Sequence, residues 1–344
     1  MARLLHLGNS ASISDVASLA GVSTRTVSRV LNASDLVNAD TRSHVEAVIA
    51  QLGYQPSARA RGLRRGQSFL LGFVHNDANE LVLGPIQRKI ISAASNCGYE
   101  LIAHPTPLGE PNLIKNVLDF VRRSRVDGLL VMAPVSGVPG LGDALAEVGL
   151  PTSALSAVPI DGFSSVTITR ERNGAALAAR HLLDLGHRRF ALVLGPDGLH
   201  SAEERRLGFE NELRGAGVQV LGTARGDYSF ASGVAAAQSL LHAGERPTAI
   251  FAANDVMAAG ILKEAAARGI KVPSDMSVVG FDGSILAHML MPSLTTVYRP
   301  IADLAAVATR TLMRLIEDQP PIEEVKPELE LWVRESSGPP PGAG

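Results

Sequence analysis

The stretch ISDVASLAGVSTRTVSRVLN, residues 13–32, predicts two short helices joined by a tight turn. Ser12 and Asp15 form a capping-box pattern where the first helix begins. Gly21 supplies the turn, because glycine adopts a left-handed backbone at little steric cost, and Ser23 caps the second helix. Apolar side chains recur at helical spacing on the inner faces of both helices: Ile13, Val16, Ala17, Ala20, Val27, Val30 and Leu31. This arrangement is typical of a helix-turn-helix.

The outer face of the second helix carries guanidinium, hydroxyl and amide groups that suit contacts with DNA. The candidate DNA contacts are Ser23, Thr24, Arg25, Ser28, Arg29 and Asn32. Thr24 and Arg25 are best placed to read bases, because the N-terminal end of such a helix meets base edges in the major groove, where arginine pairs with guanine. Arg29 is a further candidate for a base contact, while the serines and the asparagine suit phosphates. The alternative is a helical hairpin whose polar face is only solvated.

Positive charge is concentrated near the start of the chain. The first 66 residues hold eight arginines and four acidic residues, a formal charge of +4, whereas the remainder carries −6. The whole chain has a net charge of −2, so the average conceals this division. A basic segment attached to an acidic body favours a polyanionic partner for that segment alone.

A third helix is expected to follow Asn38 or Asp40 and to end at Gly53. Its apolar stripe consists of Val45, Val48, Ile49 and Leu52. Residues 12–54 therefore form a predicted all-α head. Residues 55–68 are rich in arginine, glycine and serine, a composition typical of a linker.

From residue 69 to 335, short apolar runs such as FALVLG (190–195) alternate with alanine-rich helical stretches. Parallel strands joined by crossover helices produce this alternation. There are ten or eleven runs, too many for one doubly wound sheet of ordinary size, so we predict an α/β body of two lobes, each a parallel sheet with flanking helices. The segment 336–344, SSGPPPGAG, is too rich in proline and glycine to pack, and we expect it to be disordered.

The sequence argues against several classes of protein. It contains no run of 18 apolar residues and no export signal, so we expect a cytoplasmic protein without a membrane segment. The single cysteine, Cys97, cannot form an internal disulfide and is expected to be a small buried hydrophobe. A phosphate-binding loop, a complete dinucleotide fingerprint and a GxSxG elbow are all missing, so we expect neither an enzyme nor a bound cofactor or metal ion.

The stretch DVASLAGVSTRTVSRVLN, residues 15–32, resembles the DNA-binding signature of the lactose-repressor (LacI/GalR) family of bacterial transcription regulators. The similarity continues through HVEAVIAQLGYQPSARARGL, residues 44–63, and over the body to about residue 335. The resemblance implies a homodimeric repressor that binds a palindromic operator, with a periplasmic-binding-protein-like body whose cleft holds a small-molecule effector. It also implies how the lobes divide, with an N-lobe at about 69–168 and 300–322 and a C-lobe at about 169–299 and 323–335.

In this family a hinge helix opens the minor groove with a leucine from each subunit. The resemblance places Leu63 as this wedge within residues 56–63, with Arg61 and Arg64 beside it to neutralise phosphates. Gly62 weakens such a helix by roughly 1 kcal/mol relative to alanine, so we expect the hinge to become ordered only on operator DNA. A packing role for Leu63 in a short linker is the alternative.

The resemblance further implies the residues that contact the effector. These candidates are Asn79, Leu81, Val82, Arg170, Arg205, Tyr228, Asn254, Asp282 and Arg299. Arg205, Asn254 and Asp282 suit polyols, because a guanidinium, an amide and a carboxylate together donate to and accept from hydroxyl groups. Tyr228 stands where the family often has an aromatic ring that stacks on the sugar. Residues 79–82, NELV, replace the usual Asn-Pro-Phe-Phe, so this wall lacks aromatic rings.

Two arginines depart from the family pattern, since Arg170 replaces a frequent aspartate and Arg299 a common glutamine. Together with Arg205 they predict a cationic cleft, and hence a sugar acid or sugar phosphate as an alternative to a neutral sugar. The alternative for Arg170 is an ion pair with Glu171 or Glu203 at the surface. A sugar-binding protein without DNA activity and a transcriptional activator on the same scaffold are the alternative functions.

Overall fold

The structure is a computed structural model, and it describes residues 11–31, 34, 36–54, 67–76, 79–242, 245–320, 324 and 326–342. The chain divides between Phe69 and Leu70 into two compact units. Among the helices of the described residues, none combines the length and the hydrophobicity that a membrane span requires.

The first unit is helical. Its helices are α1 (Ile13–Leu19), α2 (Thr24–Leu31) and α3 (Ala39–Leu52). Their apolar faces form one core that contains Val16, Ala17, Ala20, Val27, Val30, Val45, Val48 and Tyr54. Apolar residues at the predicted spacing therefore form one core that joins the two predicted helices and the third helix.

Local capping sets where these helices begin. Ser12 N–H donates to Asp15 Oδ2 at 2.7 Å and Asp15 N–H donates to Ser12 Oγ at 3.3 Å, which is the predicted capping box. Gly21 adopts the left-handed backbone of the turn, with a φ of +64°. Asn38, rather than Asp40, caps α3, because its Oδ1 accepts a backbone N–H of the first turn at 2.8 Å.

The second unit contains two sheets, each with its own helices. The first sheet has five parallel strands: β1 (Leu70–His75), β2 (Glu100–Pro105), β3 (Gly128–Val131), β4 (Thr152–Ser156) and β5 (Ser165–Ile168). Their order is β2-β1-β3-β4-β5. The helices between them are α4 (Glu80–Ser95), α5 (Leu113–Ser124) and α6 (Leu141–Val148). Strands β3 and β4 are buried along their whole length, as is typical of the centre of a parallel sheet.

The second sheet has six strands: β6 (Phe190–Leu194), β7 (Val220–Arg225), β8 (Ala249–Ala252), β9 (Ser277–Asp282), β10 (Thr295–Tyr298) and β11 (Glu330–Trp332). From β5 onward along the chain the helices are α7 (Glu171–Asp184), α8 (His200–Gly215), α9 (Phe230–Leu240), α10 (Asp255–Ala267), α11 (Ile285–Met289) and α12 (Ile301–Ile316). The order β7-β6-β8-β9-β10 repeats that of the first sheet, and β11 is added antiparallel at the edge. The two lobes therefore share one doubly wound topology.

The chain passes between the lobes more than once. It leaves the first sheet after β5 and enters α7, which packs on α8 and on β10 and β11. After β10 it returns, because α12 packs on α4 and on β3, β4 and β5 of the first sheet. It then crosses a third time to add β11 to the second sheet. These three crossings connect both lobes.

The end of the chain is ordered as far as Gly338, so the expectation that residues 336–344 are disordered is wrong for this part. Ser336 is fully buried, and its N–H donates to Ser293 O at 3.0 Å. Gly338 O accepts a hydrogen bond from His187 Nε2 at 2.9 Å. Composition was misleading because backbone groups and a buried histidine, rather than apolar side chains, hold this segment in place.

Cys97 is exposed, so the expectation of a buried residue is also wrong. It lies in the turn that follows α4 and precedes β2. Tyr99, which is only 2% exposed, takes the inward position of that turn. The small side chain is left on the outer side because the larger aromatic ring fills the core.

Candidate functional site

A cavity of about 130 Å³ lies between the carboxyl ends of the two sheets. This is many times the roughly 10–15 Å³ that a single water needs, so a small molecule fits. The first lobe gives it a mostly apolar wall that includes Val82, Leu83, Ile86, Met132 and Leu155. The second lobe gives it a polar wall that includes Arg205, Tyr228, Asn254, Asp282 and Arg299. The position agrees with the rule that doubly wound sheets bind ligands beyond their strand ends.

Two arginines and two carboxylates form a buried cluster in the polar wall. Arg299 donates from Nη1 to Glu171 Oε1 at 3.2 Å and from Nη2 to Asp282 Oδ1 at 3.1 Å. Arg205 Nη2 donates to the same Asp282 oxygen at 3.4 Å, and its Nη1 donates to Ala253 O at 2.5 Å. Glu171 is 1% exposed and also accepts a hydrogen bond from the Thr169 hydroxyl.

The cluster has equal numbers of positive and negative groups. Burial acts to lower the pKa of Arg299, but the neighbouring charges of Asp282 and Glu171 outweigh it and raise the pKa, so the guanidinium stays charged. The two carboxylates therefore neutralise Arg205 and Arg299. The expectation of a cationic cleft is corrected by this geometry, because the sequence revealed the arginines without their buried partners.

Arg170 lies outside the cavity, although the sequence analysis placed it among the effector contacts. It has a left-handed backbone with a φ of +56°, and its half-exposed side chain lies 3.6 Å from Glu328. Its partner is thus neither Glu171 nor Glu203. The left-handed turn directs Glu171, the next residue, into the interior and leaves Arg170 at the surface.

The residues at the start of α4 also differ in whether they face the cavity. Asn79 and Val82 line the cavity, whereas Leu81 does not and is 38% exposed. Asn79 also caps α4, because its Oδ1 accepts a hydrogen bond from Leu81 N–H at 3.2 Å. Leu81 precedes Val82 by about 100° around the helix axis, and this rotation places its side chain outside the cavity.

Asn254 lines the cavity, but both ends of its amide already serve the fold. Its Oδ1 accepts from Met257 N–H at 2.8 Å and caps α10, and its Nδ2 donates to Tyr228 O at 3.0 Å. This places Asn254 as a residue that positions the Tyr228 loop. A direct contact between Asn254 and an effector stays a prediction.

Tyr228 is held in an unusual conformation at the cavity. Its φ is +70°, a region that costs free energy for residues other than glycine and that recurs at functional sites. Gly195 makes room for its ring, since a Cβ on Gly195 would lie 2.5 Å from the Tyr228 hydroxyl oxygen. Asp282, with a φ of +115°, is a second residue of the polar wall with a positive φ.

Unpaired polar atoms are concentrated in this cavity. Among the described residues, six buried side-chain atoms lack a hydrogen-bond partner: both ring nitrogens of His75, Ser153 Oγ, Arg205 Nε, Tyr228 Oη and Arg299 Nε. Five of the six belong to residues that line the cavity. Buried polar groups are normally paired, so this concentration indicates a place where a polar ligand completes the hydrogen bonding.

Asp255 is a functional candidate that the sequence analysis missed. It lies behind the polar wall, where Oδ2 accepts from Ser284 N–H at 2.7 Å and Oδ1 accepts from the Thr296 hydroxyl at 2.5 Å. Burial, and then the negative charge of Asp282, raise its pKa to about 7, against the effect of these hydrogen bonds. In sequence it is indistinguishable from any acidic residue in the first turn of a helix. Glu171 and His75 were missed as site residues for a similar reason, because nothing in their neighbours marks them as buried.

The first unit presents part of the predicted DNA-binding face. Thr24 and Arg25 are exposed at the start of α2, and Arg29 is half-buried. Ser23 Oγ accepts from Thr26 N–H at 3.1 Å, so this side chain caps α2 as predicted. Asn32, Arg61, Leu63 and Arg64 lie outside the described residues, together with the rest of the predicted hinge helix.

Ser28 is only 5% exposed, which contradicts its predicted place on the outer face. It lies about 60° from Leu31 around the helix axis, at the margin of the apolar face. The sequence pattern could not decide on which side of this margin a small hydroxyl residue falls. A phosphate contact from Ser28 is therefore not supported by the structure.

Comparison with known proteins identifies relatives of both units. Residues 12–57 match the model of the bacterial regulatory proteins of the lacI family, and residues 179–337 match that of a periplasmic binding protein-like domain. The ribose operon repressor of Escherichia coli (strain K12) is 32% identical over 321 residues, which cover 93% of this chain and 97% of that protein.

Two solved structures are similar over most of the chain. The lac repressor dimer bound to operator and the anti-inducer ONPF has a TM-score of 0.81 at 30% identity, with 95% of this chain and 99% of that chain covered. The complex of the transcriptional regulator CelR with cellobiose has a TM-score of 0.68 at 30% identity, with the same coverage.

Proposed function

The chain belongs to the lacI family of bacterial regulatory proteins, and from this premise we propose that it is a transcriptional repressor controlled by a small neutral sugar. In this proposal a homodimer binds a palindromic operator through the helix-turn-helix of each subunit. The sugar binds in the cavity of the second unit and alters the affinity for DNA. The observation that carries the proposal is the set of buried, unpaired polar atoms around that cavity.

The DNA-binding part rests on the chemistry of the first unit. Thr24 and Arg25 are exposed at the N-terminal end of the second helix of the motif, which is the end that meets base edges in helix-turn-helix proteins. The first 66 residues carry a formal charge of +4, which favours the approach to phosphates. Leu63, Arg61 and Arg64 remain our candidates for the hinge contact with the minor groove. Because operator DNA is cytoplasmic in bacteria, we also place the protein there.

The preference for a neutral sugar rests on the charge balance of the polar wall. Arg205 and Arg299 are already paired with Glu171 and Asp282, so neither guanidinium is available to neutralise a carboxylate or phosphate on the ligand. Hydroxyl groups can donate to the carboxylates and accept from the guanidiniums without changing that balance. A related structure supports a carbohydrate, since the CelR complex contains cellobiose.

Control by the effector follows from where the cavity lies. A ligand that touches both lobes favours one relative position of the lobes and so biases a two-state equilibrium. Thermodynamic linkage then requires operator DNA to change the affinity for the sugar by the same factor as the sugar changes the affinity for DNA. The relatives of this chain are transcriptional repressors, so we propose a regulator without enzymatic activity.

The dimer surface that we propose is apolar and belongs to the second lobe. Ile285, Met289 and Met291 are 56%, 72% and 96% exposed on α11 and the segment that follows it. Side chains of this size are seldom left exposed side by side in a monomer. A two-fold contact through this surface would present one helix-turn-helix to each half of a palindrome.

The experiment that tests the proposal starts from the full-length protein and a random pool of duplex DNA. Repeated selection is expected to enrich a palindromic sequence, which is then labelled for fluorescence anisotropy. Added D-ribose, D-glucose and cellobiose are compared for release of the labelled DNA at one salt concentration. Failure to enrich any sequence, with and without the sugars, would contradict the DNA-binding part, and enrichment without release by any sugar would contradict the effector part.

A further inference from the structure

His75 is a buried polar residue of the cavity that none of the interactions in the fold explains. It is the last residue of β1, its side chain is 3% exposed, and it lines the cavity from the first lobe. Among the described residues, no hydrogen-bond partner reaches either of its ring nitrogens. An imidazole with both nitrogens unpaired in the interior is unfavourable for folding, because it has lost water without a replacement.

Neighbouring groups position the His75 ring but form no hydrogen bond with its nitrogens. The Phe73 ring stacks on the His75 ring with centroids 4.9 Å apart, and the His75 carbonyl accepts a hydrogen bond from Thr106 N–H at 2.8 Å. The neighbouring part of the wall is apolar and includes Ile86 and Met132. An aromatic hydrocarbon ring would fill this position and stack equally well, so the fold alone gives no reason for a histidine.

The two walls of the cavity differ in their polar side chains and in how these are paired. The second lobe contributes Arg205, Asp282 and Arg299, which are ion-paired to one another or to Glu171. Among the described residues that line the cavity, His75 is the one buried polar side chain from the first lobe. A ligand that bridges the lobes therefore meets on this wall two half-buried asparagines, Asn76 and Asn79, and one buried hydrogen-bonding side chain, His75, among apolar residues.

We infer that His75 determines effector specificity by hydrogen bonding to one hydroxyl group of the bound sugar, an inference that rests on the proposed function. A neutral imidazole donates from one nitrogen and accepts at the other, and a hydroxyl group can pair with either. The other buried side chains of that wall are apolar, so the His75 imidazole is its buried group that can read a hydroxyl on the face of the sugar toward the first lobe. A sugar that lacks this hydroxyl leaves the imidazole unpaired and is rejected.

The inference is tested with the full-length protein and three substitutions. H75F removes the polar atoms and keeps an aromatic ring against Phe73, and H75Q restores one donor and one acceptor. H104F is the matched control, because His104 is the penultimate residue of the neighbouring strand β2 and stacks on Phe120 at 4.4 Å, but does not line the cavity. Binding of D-ribose, D-glucose and cellobiose is measured by calorimetry, followed by the monodeoxy analogues of each sugar that binds.

We expect H75F to weaken the binding of the sugar at least tenfold, whereas H75Q recovers part of the loss and H104F changes the affinity by less than twofold. The wild type should bind one monodeoxy analogue at least tenfold more weakly than the parent sugar. H75F should bind that analogue and the parent sugar with affinities that differ by less than twofold. The melting temperature of H75F without sugar should equal or exceed that of the wild type, since a buried unpaired group has been removed.

Three results would overturn the inference in distinguishable ways. If the wild type binds a sugar and H75F keeps both its affinity and its discrimination between analogues, His75 does not read a hydroxyl group, and the proposed function stands. If the wild type binds none of the three sugars, the effector part of the proposed function fails and the inference fails with it. A loss of melting temperature in H75F but not in H104F, with discrimination unchanged, would assign His75 a structural role instead.

Discussion

Arg299 Nη1 lies 3.2 Å from Glu171 Oε1, and this buried pair connects two of the crossings between the lobes. Glu171 is the first residue of α7, which follows the crossing after β5. Arg299 immediately precedes the crossing that leads into α12. Both side chains belong to the buried cluster beside the cavity, so the proposed effector site adjoins the connections between the lobes. In the proposed function, an effector in this cavity therefore lies next to the connections on which the relative position of the lobes depends.

Breaking this pair should destabilise the protein strongly. E171Q and R299Q each remove one of the four charges of the buried cluster and leave it with an unbalanced charge, and we expect each to lower the free energy of unfolding by about 3 kcal/mol. The double substitution should cost less than the sum of the two, because it restores equal numbers of positive and negative charges. Urea unfolding, followed by the fluorescence of the single tryptophan, Trp332, measures all three. K115Q, which breaks the exposed Lys115–Asp119 pair, is the control and should cost less than about 1 kcal/mol. Additive losses in the double variant would contradict the coupling.

The same pairing predicts which sugars are rejected. Because Glu171 and Asp282 already neutralise Arg299 and Arg205, an acidic sugar would bring an unpaired charge into the cavity. We expect D-glucose and D-ribose to bind at least tenfold more tightly than glucuronate and ribonate. Calorimetry at pH 7.5 compares the members of each pair. Tighter binding of the acid in either pair would favour the sugar-acid alternative.

Asp255 should make stability depend on pH in an unusual direction. The pKa of Asp255 is about 7 in the folded protein and 3.8 for the free side chain. At a pH between these two values, Asp255 is protonated in the folded state and ionised in the unfolded state. The free energy of unfolding should therefore fall as pH rises from about 4 to 7. D255N keeps the shape of the side chain without the titration, and should be more stable than the wild type at pH 8 by on the order of 2 kcal/mol.

Melting temperatures at intervals from pH 4.5 to 8.5 check this prediction. The control is D143N, the same chemical change at an exposed position of α6. The difference between the wild type and D255N should grow with pH and level off above about pH 8, while D143N follows the wild type. A pH dependence that persists unchanged in D255N would assign it to other groups.

The fold was predictable because its signals are local and repeated. Apolar spacing at Val16, Val27 and Val45 identified the helical core, and short apolar runs separated by alanine-rich stretches identified parallel sheets with crossover helices. The same reasoning failed at Ser336 and Gly338, where hydrogen bonds to buried backbone and to His187 replace apolar packing. Composition measures what a segment can bury and does not measure which backbone groups it can satisfy.

The site was predictable only in part, because burial decides it and sequence patterns do not resolve burial at single residues. Arg205 and Asp282 line the cavity, and the effector contacts that the resemblance implies for them stay a prediction. Arg170 and Glu171 are adjacent and both polar, and only the left-handed backbone at Arg170 determines which of them enters the cluster. His75 gave no signal at all, since a histidine at the end of an apolar run is typical of an ordinary strand end.

Arg25 should contribute sequence preference rather than general affinity. It is exposed at the start of α2, where a guanidinium can form two hydrogen bonds to guanine. We expect R25A to cost about 1–3 kcal/mol of binding free energy for the selected operator and to relax the preference at one base pair in each half-site. Anisotropy titrations against the operator and its single-base variants measure both effects.

R88A, at an exposed position of α4, is the control and should change neither. An equal loss for all sequences, with a weaker salt dependence, would assign Arg25 to a phosphate contact instead.

The exposed methionines of the second lobe should determine the oligomeric state. Met289 and Met291 are 72% and 96% exposed, and a carboxylate at either position would have to be buried without a partner if this surface joins two subunits. We expect M289D and M291D to be monomers by light scattering at concentrations where the wild type is a dimer. Each should also bind the palindromic operator at least a hundredfold more weakly, because two half-sites are no longer bound together.

V148D, at an apolar position of α6 that is 42% exposed, should remain dimeric and bind DNA normally. Dimeric methionine variants would show that the subunits meet elsewhere, whereas monomeric variants with full operator affinity would separate DNA binding from dimerisation.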